Sequence, residues 1–311
     1  MEKIILDVDT GVDDAMAIIL ALESKKFDML GITTVNGNVS LDHVKDNTRR
    51  VLQLIGRTDV KVYAGAKEPY VREAVNSEYV HGKDGLGHSL EDMKITMEIE
   101  DTFAPDFMIE AVKKHPGEVT LVCVGPLTNL ALAIKKDASF LKDVKRVVIM
   151  GGSVKDAGMG NVSAAAEFNI FADAEAAKIV FHQGLDLTMV SLDVSDYTFI
   201  EESHLEELRD TKYYKFIEKA TRVAMEHGEN ITGKRATQLH DPLTVGYLLD
   251  PSYIELRDAY VDVETKGEIT YGQTLADYHN KTGKTPNVKV CVSADSERFV
   301  RDFVDLLKAC K

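Results

Sequence analysis

Short apolar runs alternate with longer amphipathic stretches through most of this chain, and few architectures accept that order. Strands joined through crossover helices pair in parallel, so the pattern predicts an α/β fold around an open, mostly parallel sheet. Residues 3–8 read as a buried strand and 13–22 as the helix behind it. A second strand follows over 27–35, then a helix to about residue 54 and a short strand over 60–63. The stretch 64–102 holds glycines but little periodicity, and a connection that long is usually functional, such as a lid. Alternation resumes with helix 106–114, strand 119–124, helix 127–136 and strand 144–150. Asp173 reads as the cap of a helix that stops at Gly184, and 187–192 as another strand. Residues 201–227 read as helical and 228–240 as a polar connection. Asp241-Pro242 opens a further helix, with proline at a permitted first-turn position. A strand over 288–292 and a helix over 295–307 close the chain. No repeat or linker divides it, which predicts one domain over residues 1–311.

In sheets of this kind ligands bind beyond the carboxyl ends of the strands. Chemically unusual residues cluster there: Asp7, Asp9, Asp13 and Asp14 after the first strand, Asn36-Gly37-Asn38 after the second. Gly125-Pro126 and Gly151-Gly152 follow two later strands.

The stretch Asp7-Val8-Asp9-Thr10-Gly11-Val12-Asp13-Asp14 places four carboxylates within eight residues. Capping and the helix dipole favour acids in a first turn, which accounts for Asp13 or Asp14 but not for all four. Crowded carboxylates repel unless a cation neutralises them, and hard oxygen donors select Ca²⁺ or Mg²⁺. An EF-hand fails, because its twelfth position, counted from Asp7, is Ile18. A haloacid dehalogenase-type Mg²⁺ phosphatase, which opens with Asp-x-Asp-x-Thr, competes if the spacing of Asp7-Val8-Asp9-Thr10 is stretched by one, as does a non-catalytic metal-stabilised fold.

Other signals are weaker singly. Gly228 to Lys234 imitates a P-loop, but Arg235 stands where Ser or Thr is required and the preceding residues look helical. Gly283-Lys284-Thr285 lacks the earlier glycine, and neither a Gly-x-Ser-x-Gly elbow nor a zinc motif occurs. His240-Asp241 could be a simple cap, and His81 a solvated loop residue. Glu167 and Asn169 lie two apart and face one way in extended chain, although taken alone they read as a loop with local hydrogen bonds. The net charge of −14, with no basic patch, excludes duplex nucleic acid and suits a small neutral or cationic ligand. Three cysteines without metal spacing suggest a reducing compartment, and no signal core or bilayer-length run occurs, so a cytoplasmic location is expected.

Taken in order, these segments resemble the nucleoside hydrolase family of the inosine–uridine-preferring type. The opening acidic stretch looks like its N-terminal hallmark. Thr33-Thr34-Val35-Asn36-Gly37-Asn38, Val124-Gly125-Pro126-Leu127-Thr128-Asn129, Met150-Gly151-Gly152, Ala166-Glu167-Phe168-Asn169 and His240-Asp241-Pro242 follow in register. The similarity runs from about residue 3 to the terminal helix. It implies a doubly wound sheet, dimers or tetramers, one Ca²⁺ per site, and hydrolysis of ribonucleosides to base and ribose in nucleoside catabolism and salvage. By position, Asp9, Asp14, Asp241 and the Val124 carbonyl would bind the metal. Asp13, Asn38, Asn161, Glu167, Asn169 and the backbone near Met150 would hold the ribose, and His240 and His81 would lie near the base. Thr10 stands where many members have Pro, which bears on turn stiffness rather than ligation. Asp9 is then the expected general base and His240 the leaving-group partner. A nucleoside- or ribose-binding protein without turnover is the remaining alternative, disfavoured because Asp9 is kept.

Overall fold

The computed structural model describes residues 1–154, 159–232 and 235–310. Strand β1 (Glu2–Val8) runs into helix α1 (Val12–Glu23), and β2 (Phe27–Thr34) into α2 (Leu41–Ile55) and β3 (Val62–Ala64). The short α3 (Glu78–His81) and then α4 (Ala104–Lys114) lead to β4 (Val119–Cys123), α5 (Thr128–Asp137) and β5 (Val144–Met150). Next come α6 (Phe168–Ala172), α7 (Ala174–Phe181), β6 (Leu187–Val190) and α8 (Leu192–Ser195). They are followed by β7 (Phe199–Glu201), α9 (Glu202–Glu207), α10 (Tyr214–Thr232), β8 (Ala236–Gln238) and α11 (His240–Leu249). The antiparallel edge β9 (Ile254–Val263) and β10 (Thr274–Asp277) precedes β11 (Val288–Ala294) and α12 (Ser296–Ala309).

Nine strands form one sheet in the order β10-β9-β11-β6-β5-β4-β1-β2-β3. All neighbours pair in parallel except at β9, which is antiparallel to both β10 and β11. Alternate side chains of β1 feed two cores, as the twofold period of a strand requires. Ile4, Leu6 and Val8 pack with α1, α11 and α12 on one face, and Ile5 with α4, α5 and α7 on the other. The sheet is doubly wound, as expected. From β1 the chain steps outward through β2 and β3, then returns to β4 on the other side of β1. The crevice therefore opens at the carboxyl ends of β1 and β4, where loops leave in opposite directions. That is where Asp9 and Val124 lie.

Three expectations need correction, and two strands went unread. Residues 201–227 are not one helix: α9 ends at Glu207, the chain turns, and Tyr213 is fully buried, its hydroxyl donating to Glu23, before α10 begins. Nor is 228–240 merely a connection, since α10 continues to Thr232 and β8 pairs with β7. Gly233 and Lys234 of the P-loop imitation lie outside the described residues, and the segment before them is helix, as its rejection requires. The long 64–102 stretch is not structureless. It carries α3, and side chains of α2 hold its far end: Arg49 Nη1 donates to Met97 O, and Gln53 Nε2 to Lys94 O, both at 2.9 Å. Finally, β9 and β10 went unread because charged residues interrupt their apolar positions, as suits an edge wetted on one side. Among the described residues no helix is long and apolar enough to cross a membrane.

Candidate active site

Two helix N-termini converge on the crevice, because α11 packs beside α1. Their first turns carry Asp13 and Asp14 on one and Asp241 on the other. One oxygen each of Asp13, Asp14 and Asp241 lies within 4.8 Å of the others. Asp9 stands against this trio, its side chain meeting Asp14 and its charge acting on Asp241. The trio differs by one from the ligand set the resemblance implies, with Asp13 in the place of Asp9. Both kinds of sequence reading hold in part. Asp14 is a cap as well as a cluster member, since its two oxygens accept the amides of Asp9 at 3.0 Å and Gly11 at 2.9 Å. Capping leaves Asp9 and Asp13 unexplained: Oδ1 of each is buried without a hydrogen-bond partner.

Asp9 is gripped rather than loosely placed. Its Oδ2 accepts the Asn38 amide at 2.7 Å. A Cβ on Gly37 would fall 2.1 Å from that oxygen, and one on Gly125 would fall 2.7 Å from Oδ1. Only glycine backbones fit on both sides of this carboxylate. Asn38 also donates Nδ2 to Asp14 Oδ2 at 3.1 Å, while its own Oδ1 accepts the Ser77 hydroxyl at 2.7 Å. The segment before α3 is thereby fastened to the acidic cluster. Ser77 was not foreseen in the sequence. Neither was Asn47, whose Nδ2 donates to the carbonyls of Thr10 and Asp84 and so ties the first loop to the one bearing His81.

Burial, reinforced by neighbouring carboxylates, pushes Asp9 and Asp241 well above the ordinary aspartate range. Burial likewise raises Asp13 and Asp14 to about 6, and Glu167 and Asp7 to about 7. The folded protein without metal therefore holds protons that the unfolded chain has released. Between about pH 4 and pH 7 it binds more of them, and its stability falls as pH rises through that window. Chelator-treated protein should melt at a lower temperature at pH 7.5 than at pH 5.5, read by scanning calorimetry. Added calcium should narrow the gap, and a flat profile in chelator would count against the carboxylate crowding. A buried group of acids with two partnerless oxygens fits a hard divalent cation in donor type and charge.

On the β4–β5 side, Asn169 Nδ2 donates to the Val124 carbonyl at 2.8 Å and to the Met150 carbonyl at 3.2 Å. Glu167 and Asn169 make the local hydrogen bonds that a loop reading expects, but at the start of a helix. Glu167 caps α6, its Oε1 accepting the Asn169 amide at 2.8 Å and its Oε2 the amides of Ile170 and Gly152 at 3.1 and 2.9 Å. Asn161 is exposed, and its Oδ1 accepts the Phe168 amide at 2.8 Å, which pins its loop to the start of α6. The structure thus brings Asn169, Val124 and Met150 together, and joins Asn161 and Glu167 to them through α6.

Two histidines stand near the acids. His81, carried by α3 rather than by a free loop, accepts the Val12 amide on Nδ1 at 3.1 Å. Its hydrogen therefore sits on Nε2. His240, at the start of α11, has Nδ1 2.8 Å from Ser195 Oγ. Burial lowers both imidazoles to about 4, and the rings are close enough for His81 to act on His240.

A doubly wound sheet with an acid-lined crevice at its switch point defines an α/β protein with a ligand site of buried carboxylates. The plant nucleoside hydrolase PpNRh1 superposes with a TM-score of 0.90 at 36% identity, with 99% of each chain covered. A purine-preferring ribonucleoside hydrolase from Gardnerella vaginalis superposes with a TM-score of 0.91 at 33% identity, over 99% of this chain and 98% of that one. The pyrimidine-specific ribonucleoside hydrolase RihA of Enterobacter sp. (strain 638) is 38% identical over 301 residues, 96% of this chain and 95% of the relative. The sequence model of the inosine-uridine preferring nucleoside hydrolases matches residues 4–301, and the chain belongs to that family. It is an N-ribohydrolase, acting on the N-glycosyl bond of ribonucleosides. The phosphatase reading falls with that assignment.

Proposed function

We propose that this protein, as a single catalytic domain over residues 1–311, hydrolyses ribonucleosides to free base and ribose with one calcium ion and with Asp9 as general base. The observation that carries the proposal is the buried acid cluster, with Asp9 Oδ1 and Asp13 Oδ1 lacking any partner. Asp9, Asp14, Asp241 and the Val124 carbonyl would hold the ion. When bound, calcium orients a water and a sugar diol and lowers the water's pKa somewhat.

The chain's own groups do the rest. Asn38 occupies Asp9 Oδ2, so Oδ1 is the oxygen left to take a proton from water as its oxygen bonds to the anomeric carbon. Asp13 Oδ1 is placed to accept a ribose hydroxyl, with Asn38, Asn161, Glu167, Asn169 and the Met150 backbone completing the ribose pocket. Carboxylates here also stabilise the positive charge that develops on the sugar ring. The N-glycosidic electron pair leaves with the base. Because burial keeps His240 neutral at pH 7, its part is to donate a hydrogen bond to the departing base rather than to act as an imidazolium acid. His81 lies on the same side.

Base preference belongs to the 70–90 and 220–240 segments. We take pyrimidine ribonucleosides as preferred, on the support of the RihA relatives. Homodimer or homotetramer assembly is proposed on the family resemblance, and a cytoplasmic location on three unpaired cysteines, which suit a reducing compartment. The test is ribose release from uridine, cytidine, inosine and guanosine with and without chelator. Chelator-sensitive release, fastest from uridine or cytidine, is expected. Phosphate release from phosphomonoesters with no ribose from any nucleoside would refute the proposal.

A further inference from the structure

His240 depends on a side chain to which no sequence pattern points. Ser195, the last residue of α8, is fully buried and places Oγ 2.8 Å from His240 Nδ1. Buried hydroxyls in helices commonly bond to the carbonyl four residues back. Thr48, Thr221 and Thr244 do so here, at 2.8, 2.7 and 3.2 Å. Ser195 has the same carbonyl available, that of Ser191, which accepts its backbone amide at 3.1 Å. Its hydroxyl turns to the imidazole instead. The backbone around the pair is tied independently, since Leu239, just before His240, donates its amide to Thr198 O at 2.8 Å. Loss of the Ser195 hydroxyl therefore leaves the carrier of the ring in place.

We infer that Ser195 is a positioning residue for departure of the base, acting through His240. Its hydroxyl hydrogen bonds to Nδ1, which fixes the ring plane and leaves the imidazole hydrogen on Nε2, the nitrogen free to meet a leaving group. His81 is set in the same tautomer by the Val12 amide. The two rings thus carry their hydrogen on the same nitrogen, one fixed by a helix N-terminus and the other by a serine. The inference rests on the reading that His240 faces the departing base.

The test compares Ser195→Ala, Ser195→Thr, His240→Ala and the Ser195→Ala/His240→Ala double variant on two substrate types. One type is uridine and inosine, whose bases are poor leaving groups. The other is p-nitrophenyl riboside, whose leaving group needs no assistance. Loss of one orienting hydrogen bond should lower kcat on the nucleosides about 3- to 10-fold, with KM changed less than about twofold and the p-nitrophenyl substrate spared. Ser195→Thr, which keeps the hydroxyl, should retain nucleoside turnover to within about twofold, and Ser195→Ala should add nothing once His240 is gone. Equal losses on both substrate types in Ser195→Ala, or none, would overturn the inference, as would additive losses in the double variant. His240→Ala tells the two levels apart. If it spares the p-nitrophenyl substrate while Ser195→Ala does not, only the role of Ser195 fails. If it harms both types equally, leaving-group assistance by His240 fails, and the role of Ser195 with it.

Discussion

Replacing Asp9 by asparagine is expected to lower ribonucleoside turnover by about 10²- to 10⁴-fold, the range a general base contributes, in a protein that folds as before. The two halves of that outcome have separate causes. An asparagine oxygen can still accept the Asn38 amide that Asp9 Oδ2 now accepts, so the loop after β2 keeps its anchor. At the other oxygen, the partnerless Oδ1 gives way to an amide with no basicity. Removing one negative charge from a buried group of acids also relieves repulsion, so the metal-free variant should melt higher than the metal-free wild type. Turnover is read as ribose release and folding as the melting temperature in chelator. Wild-type-like turnover would remove Asp9 from the chemistry.

The second large effect concerns Asp241. It lies 2% exposed, at the N-terminus of α11, facing Asp13, Asp14 and Asp9. It is the only member of the trio supplied by a distant part of the chain, which brings the start of α11 to the acids of the first loop. Asp241→Asn should weaken calcium binding by more than the 10- to 100-fold typical of losing a residue behind the ligands, and turnover should fall with occupancy. The metal-free variant should again gain stability, because burial beside three other carboxylates makes the native charge unfavourable. Function and metal-free stability therefore move in opposite directions, a pattern that a merely structural capping residue would not give. Calcium affinity by calorimetry and melting in chelator check both. Loss of stability with unchanged calcium affinity would mark Asp241 as a cap.

The parts of this site that could be read from sequence are those whose chemistry is local. Four acids after an apolar strand, two glycine-flanked loops and a His-Asp pair before a proline each announce themselves within a few residues. Their common location followed from the rule that strand ends carry ligands, and β1 and β4 do flank the crevice. What escaped depends on partners far along the chain. Ser195 is 45 positions from His240, Ser77 is 39 from Asn38, and Asn47 is 37 from both Thr10 and Asp84. No spacing rule reaches so far. The far end of the 64–102 stretch lacks periodicity because polar side chains of α2 hold its backbone, and such bonds leave no apolar pattern. The same holds for Glu167, whose carboxylate accepts two amides of α6 and that of Gly152.

Calcium titrated into metal-stripped protein, with ribose release followed at each addition, tests most directly whether these acids exist to hold a catalytic ion. One ion per chain, with activity rising in proportion to occupancy, is the expected result. Full ribose release from stripped protein that takes up no calcium would contradict it.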